Sequence, residues 1–124
     1  MSRLTFTKDQ HLATRQEFSD CYEKGQRFFS KHFVVIVRNR DLQSVKWRLG
    51  LAVGRKIGSA VKRNRVKRVL REFFRLNQYD IPNGFDYVVI PKKHLHAKLI
   101  NLKMVETELF SLLNSKLLIK LSTE

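Results

Sequence analysis

The chain contains a single cysteine, Cys21, among its 124 residues. No disulfide framework or thiolate zinc cluster can be built on one thiol. Long apolar runs are also missing. The longest is Phe33–Val37, far too short to span a bilayer. The opening residues, MSRLTFTKDQHL, lack the apolar core of a signal peptide, and no lipidation motif is present. An intracellular, reducing and cytoplasmic location is the expectation. Acid is scarce beside base. Eleven Asp and Glu face 25 Lys and Arg, for a net charge of +14. That balance points to nucleic acid or an anionic membrane as partner. A membrane helix would need bulky apolar residues to insert, and those of the central helix serve the core of a small domain.

Several catalytic constellations are missing too. A metal-dependent protein nuclease needs clustered carboxylates, and the acids are scattered. Asp80 and Asp86 merely flank one loop. Gly54-Arg-Lys-Ile-Gly58-Ser59 lacks the lysine and the spacing of a P-loop. The start of the following helix still offers free N–H groups to a phosphate. His94 and His96 stand two apart beside Lys92 and Lys93, with no third metal ligand near in sequence. His32 sits at a strand start and carries no signal. No catalytic residue and no metal ligand is expected from this chain.

What the sequence does have is concentrated in residues 50–75, GLAVGRKIGSAVKRNRVKRVLREFFR. Its nine cations are Arg55, Lys56, Lys62, Arg63, Arg65, Lys67, Arg68, Arg71 and Arg75, against the one acid Glu72. Gly54 and Gly58 bracket a basic turn, and the pattern becomes helical from about Ser59. Val66, Val69, Leu70 and Phe73 form one apolar face at helical spacing. Asn64, Arg68, Arg71 and Arg75 fall on the opposite face, flanked by Arg65 and Lys67. A solvated helix face usually mixes signs, because Glu–Lys pairs help the helix. This one is nearly all positive and rich in Arg, whose planar fork suits phosphates and base edges. Nucleic-acid binding is therefore the reading.

The remaining elements follow in order. Thr14 caps a first helix over Arg15–Lys24, with Glu17 completing a capping box. Phe18, Cys21 and Tyr22 share one face of it, and pattern alone reads them as core. Phe6 and Leu12 anchor the segment before it. Strands are expected at residues 27–29, 33–39, 45–53 and 85–91. The second has two apolar faces, which places it centrally in the sheet. Residues 77–84 form a loop closed by Pro82-Asn83-Gly84. A long helix over residues 99–118 follows, with Leu99, Leu102, Val105, Leu109 and Leu112 on its packing face. The order α-β-β-β-α-β-α makes a single α+β domain over residues 1–124, one mixed sheet sandwiched with helices.

Lys62-Arg63-Asn64-Arg65-Val66-Lys67-Arg68, followed by Arg71 and preceded by Gly50-Leu-Ala-Val-Gly-Arg-Lys-Ile-Gly-Ser-Ala-Val, closely resembles the RNR signature of the protein subunit of bacterial ribonuclease P. The resemblance implies removal of the 5′ leader of precursor tRNA, with the catalytic groups and the Mg²⁺ sites on the RNA subunit. It implies that Arg55, Lys56, Lys62, Arg63, Asn64, Arg65, Lys67, Arg68, Arg71 and Arg75 bind RNA. The segment from Phe6 to Gly25 is similar to the family's N-terminal arm and first helix. That similarity implies a cleft for the single-stranded leader lined by Lys8, Arg15, Phe18 and Tyr22, both aromatics partly exposed. His11 stands where the family usually has Arg. Pro91-Lys92 replaces the Ala/Ser-Arg pair common after the last strand, which implies a basic contact shifted to Lys92 and Lys93. The family also carries a left-handed crossover in its β-α-β unit, where the ordinary hand is right. No obligate protein partner is implied. Two other classes stay open: a structural RNA-binding protein of the ribosome, and a protein-only nuclease.

Overall fold

The computed structural model describes residues 8–40 and 46–113. Its elements are α1 (Arg15–Lys24), β1 (Gln26–Phe29), β2 (Phe33–Asn39), β3 (Arg48–Leu51), α2 (Ala60–Leu76), β4 (Phe85–Pro91) and α3 (Leu102–Leu112). The α+β order expected from the sequence is the observed one. The four strands form one mixed sheet in the order β1-β2-β4-β3. β2 pairs antiparallel with β1 and β4, and β3 pairs parallel with β4. β2 is thus interior, as its two apolar faces require.

The pleat divides the core in two. Phe33, Val35 and Val37 of β2 and Tyr87 and Val89 of β4 point to one face. There they meet Val66, Leu70, Phe73 and Phe74 of α2 and Val105 and Leu109 of α3. Ile36 and Val88 point to the other face and meet Leu12 and Cys21, with Phe18 packed alongside. α1 therefore lies alone on one side of the sheet and α2 and α3 lie on the other. Each half of the sandwich buries what its periodicity marks as apolar.

Local signals set the boundaries. The Thr14 side chain accepts from the Glu17 N–H, and the Glu17 carboxylate accepts from the Thr14 N–H, completing the capping box. Gly25 ends α1 in extended backbone, and it must be glycine because of a close approach. A Cβ there would lie 2.5 Å from Ile36 Cγ2 and 2.6 Å from the Cys21 carbonyl. Gly58, at φ 139°, turns the chain from a short 3-10 segment, Arg55–Ile57, into α2.

Two elements are shorter than the sequence suggests. β3 covers Arg48–Leu51 rather than 45–53. The Trp47 N–H leaves the ladder to donate to the Asn83 side chain, and its indole N–H donates to the Gln78 carbonyl. Val45 is outside the described residues. α3 begins at Leu102 rather than Leu99, because Asn101 caps it by accepting from the Met104 N–H. Leu99 sits in a turn and is 68% exposed, so it is not on the packing face. Residues 114–118, expected to be helical, are outside the described residues, as is Phe6.

Candidate nucleic-acid interface

α2 turns Val66, Leu70, Phe73 and Phe74 inward and leaves its other side to solvent. On that side Lys62, Asn64, Arg68 and Arg71 are exposed and Lys67 is half-buried, with Arg55 and Lys56 exposed in the preceding turn. The expected basic face therefore exists, but it is not uniform. Arg65 reaches across to the loop before α3, donating to the carbonyls of Ala97 (2.9 Å) and Ile100 (3.5 Å). It fastens that loop to α2. Arg75 pairs with Glu72 one turn back, which offsets its charge. Arg63 is half-buried, and its Nε has no hydrogen-bond partner among the described residues.

The loop that Arg65 holds brings a second set of cations to the first. A cleft of about 540 Å³ lies between Lys56 and Lys62 on one wall and Lys93, His94, His96 and Lys98 on the other. No carboxylate lines it. The sequence resemblance placed a basic contact at Lys92 and Lys93, and Lys93 stands in this cleft. His94 packs its ring 5.3 Å from that of His32, and among the described residues no three His, Cys, Asp or Glu side chains are placed to hold a metal.

The other face of the sheet carries a second surface. α1 covers Ile36 and Val88 completely but leaves Val34, Ile90 and Ala52 only half-buried. Its own Phe18 is half-buried, with the ring laid over Gly50. A Cβ on Gly50 would meet Phe18 Cε1 at 2.7 Å and Leu12 Cδ1 at 2.9 Å. Tyr22 is 37% exposed, and burial of the rest of its ring pushes the phenol pKa up. Both aromatics are thus partly exposed rather than wholly core. Arg15 is exposed, while the side chain of Lys8 is outside the described residues. Cys21 is fully buried, and that burial pushes its thiol up to about 11, so it is inert.

A charge network beneath α1 fixes this surface, joining residues far apart in the chain. Asp86 is completely buried in β4. Arg48 holds it bidentately through Nε and Nη2, each at 2.8 Å. Arg38 and Arg40 approach the same carboxylate at 3.6 and 3.8 Å. Arg48 also reaches Glu17 on α1, and Arg38 lies 3.9 Å from Asp20. The N–H of Ala13 is the main influence holding the Glu17 carboxyl below the usual range, with Thr14 and Arg48 adding to it. Asp86 is thus a hub of guanidinium groups. A charged residue alternating with Phe85, Tyr87 and Val89 in an apolar strand was its only sequence signal. The N-terminal arm runs beside β3 through a parallel bridge between His11 and Leu49. Burial lowers the His11 pKa, and Arg71 of α2 lowers it further, so the arm and the basic helix share one electrostatic field.

The Ribonuclease P family profile matches residues 6–116, most of the chain. The chain belongs to this family. The ribonuclease P protein component of Oleidesulfovibrio alaskensis is 50% identical over 102 residues, covering 82% of either chain. That of Desulfovibrio desulfuricans is 42% identical over 113 residues, covering 91% of this chain and 87% of the relative. The solved RNase P protein from Thermotoga maritima is 37% identical with a TM-score of 0.75, covering 85% of this chain and 96% of that one. A ribonuclease P protein component implies an RNA partner in the ribonucleoprotein. Among the described residues no helix is long and apolar enough to cross a membrane.

Proposed function

We propose that the chain serves as the protein subunit of ribonuclease P by two separate contacts. The α2 face, with Arg68, Arg71, Asn64 and Lys62 at its centre, binds the catalytic RNA. The cleft between α1 and the sheet, lined by Phe18 and Tyr22 with Arg15 and Lys8 nearby, holds the 5′ leader of precursor tRNA. The observation that carries this is the division of the sandwich. One side presents guanidinium groups on a rigid helix, and the other presents half-exposed aromatic rings over an apolar floor. Phosphate neutralisation suits the first and base stacking the second.

The Mg²⁺ that the reaction needs is assigned to the RNA. Of the acids described, Asp86 is enclosed by guanidinium groups, Glu17 caps α1 and Glu108 is bonded to Ser30 and His32. These carboxylates are committed to holding the fold. The protein's own part is to bind and orient: α2 docks the RNA, and the cleft prefers a substrate that still carries its leader. We place this work in the cytoplasm, without an obligate protein partner. The test is reconstitution. Rigorously RNA-free protein in Mg²⁺ should leave precursor tRNA intact, and adding the catalytic RNA should restore cleavage at the mature 5′ end. Cleavage by the RNA-free protein, abolished by replacing one acid, would overturn the proposal. Co-purification of ribosomal subunits instead of one structured RNA would point to a ribosomal role.

A further inference from the structure

The sheet face that α1 partly covers continues onto β1. β1 is an edge strand, and its register pairs Arg27 with Ile36 and Phe29 with Val34. Cross-strand partners share a face, so Arg27 and Phe29 point to the α1 side with the cleft floor. Arg27 is close enough to influence the Tyr22 phenol. Phe29 lies two residues further along the strand, about 6.6 Å beyond it. Phe29 is 62% exposed, the most open phenylalanine among the described residues. Lys92 sets its ammonium 5.7 Å from the ring centroid. The pair offers a π-face and a cation side by side, the two groups that a stacked nucleotide uses.

The platform is also held rigidly. The Lys92 N–H donates to the His32 carbonyl at 2.8 Å, tying the end of β4 to the turn between β1 and β2. That turn is clasped from the far side by Glu108 of α3. Its carboxylate accepts from the Ser30 hydroxyl (2.6 Å) and the His32 N–H (2.8 Å), and pairs with His32 Nδ1 (2.6 Å). Exposed Arg27 and Lys31 and the half-buried Lys92 add positive charge around the ring.

We propose that Phe29 and Lys92 form a stacking platform that carries the leader cleft outward over β1 and holds one further leader nucleotide. The ring takes the base and the ammonium takes its phosphate. This rests on the reading of the α1 cleft as the leader site. Stacking tolerates any base, so the platform senses leader length rather than sequence.

The test uses the holoenzyme and precursor tRNAs whose leaders are lengthened one nucleotide at a time. Phe29→Ala should lower affinity for the longer leaders by about fivefold or more, the lower bound for one stacked base. It should leave the shortest leader and mature tRNA unchanged, and Phe29→Trp should retain wild-type affinity. Equal affinity of Phe29→Ala and wild type at every leader length would overturn the platform. So would an equal loss on mature tRNA, or a change confined to self-association of the free chain. Tyr22→Ala run in parallel separates the two readings. If it abolishes leader dependence and Phe29→Ala does not, the cleft stands and the platform falls. If neither variant responds, the cleft reading itself has failed.

Discussion

Replacing Asp86 should cost more stability than any other single polar change in the described fold. The carboxylate is completely buried and takes two hydrogen bonds of 2.8 Å from Arg48, with Arg38 and Arg40 beside it. Asp86→Ala leaves these cations facing an apolar gap. Breaking a buried pair by removing one partner costs about 3–5 kcal/mol. A domain of this kind has roughly 5–15 kcal/mol in total, so the loss is a large share of it. Urea unfolding followed by far-ultraviolet circular dichroism at neutral pH reads the quantity directly. The double variant Arg48→Met/Asp86→Leu should lose less than the sum of its singles, because an apolar replacement of both partners is often nearly neutral. The network also ties α1 to the sheet through Glu17, so amide exchange in α1 should speed up in the single variant. A loss under about 1 kcal/mol for Asp86→Ala would refute the hub.

Other perturbations probe other parts of the molecule. Gly50→Ala should cost about 1–3 kcal/mol by overpacking, since its methyl would strike the Phe18 ring and Leu12; a thermal melt unchanged from wild type would contradict that geometry. Arg68→Ala and Arg71→Ala should each weaken binding of the catalytic RNA by on the order of 1–3 kcal/mol, seen in salt-matched binding titrations, while leaving the melt in place. Acid should loosen the fold. Burial raises the Glu108 carboxyl, but Ser30 and His32 more than offset it, so its pKa is lowered, as is that of Glu17. A depressed carboxyl lends its full stability above the ordinary range and loses it as pH falls through the lowered value. Glu108→Gln should therefore flatten the acid limb of a stability–pH profile, and an identical profile would sink the claim.

Patterns confined to neighbouring residues were legible in the sequence. The Thr14–Glu17 capping box, the bounds of β2 and β4 and the apolar face of α2 all rest on spacings of a few residues. The features that escaped are those joining distant positions. Asp86 meets Arg48 across 38 residues, and Glu108 meets His32 across 76. The reach of Arg65 to the carbonyls of Ala97 and Ile100, more than 30 residues on, is of the same kind. Leu99 continued the apolar spacing of α3, and only the Asn101 cap decided that the helix begins beyond it. Phe18 looked like core by pattern and like a binding surface by resemblance. It is half-buried, with its ring laid over Gly50, which leaves room for it.

On the proposed reading, Phe18 and Tyr22 of α1 let the holoenzyme distinguish precursor from mature tRNA. Tyr22→Ala tests it most directly, because the ring is 37% exposed and its loss spares the buried core. Binding of precursor and mature tRNA to the reconstituted holoenzyme should be measured side by side. Precursor affinity should fall by about 1–3 kcal/mol while mature tRNA is unaffected, so that the preference shrinks. A folded Tyr22→Ala holoenzyme that keeps the wild-type preference for precursor would contradict it.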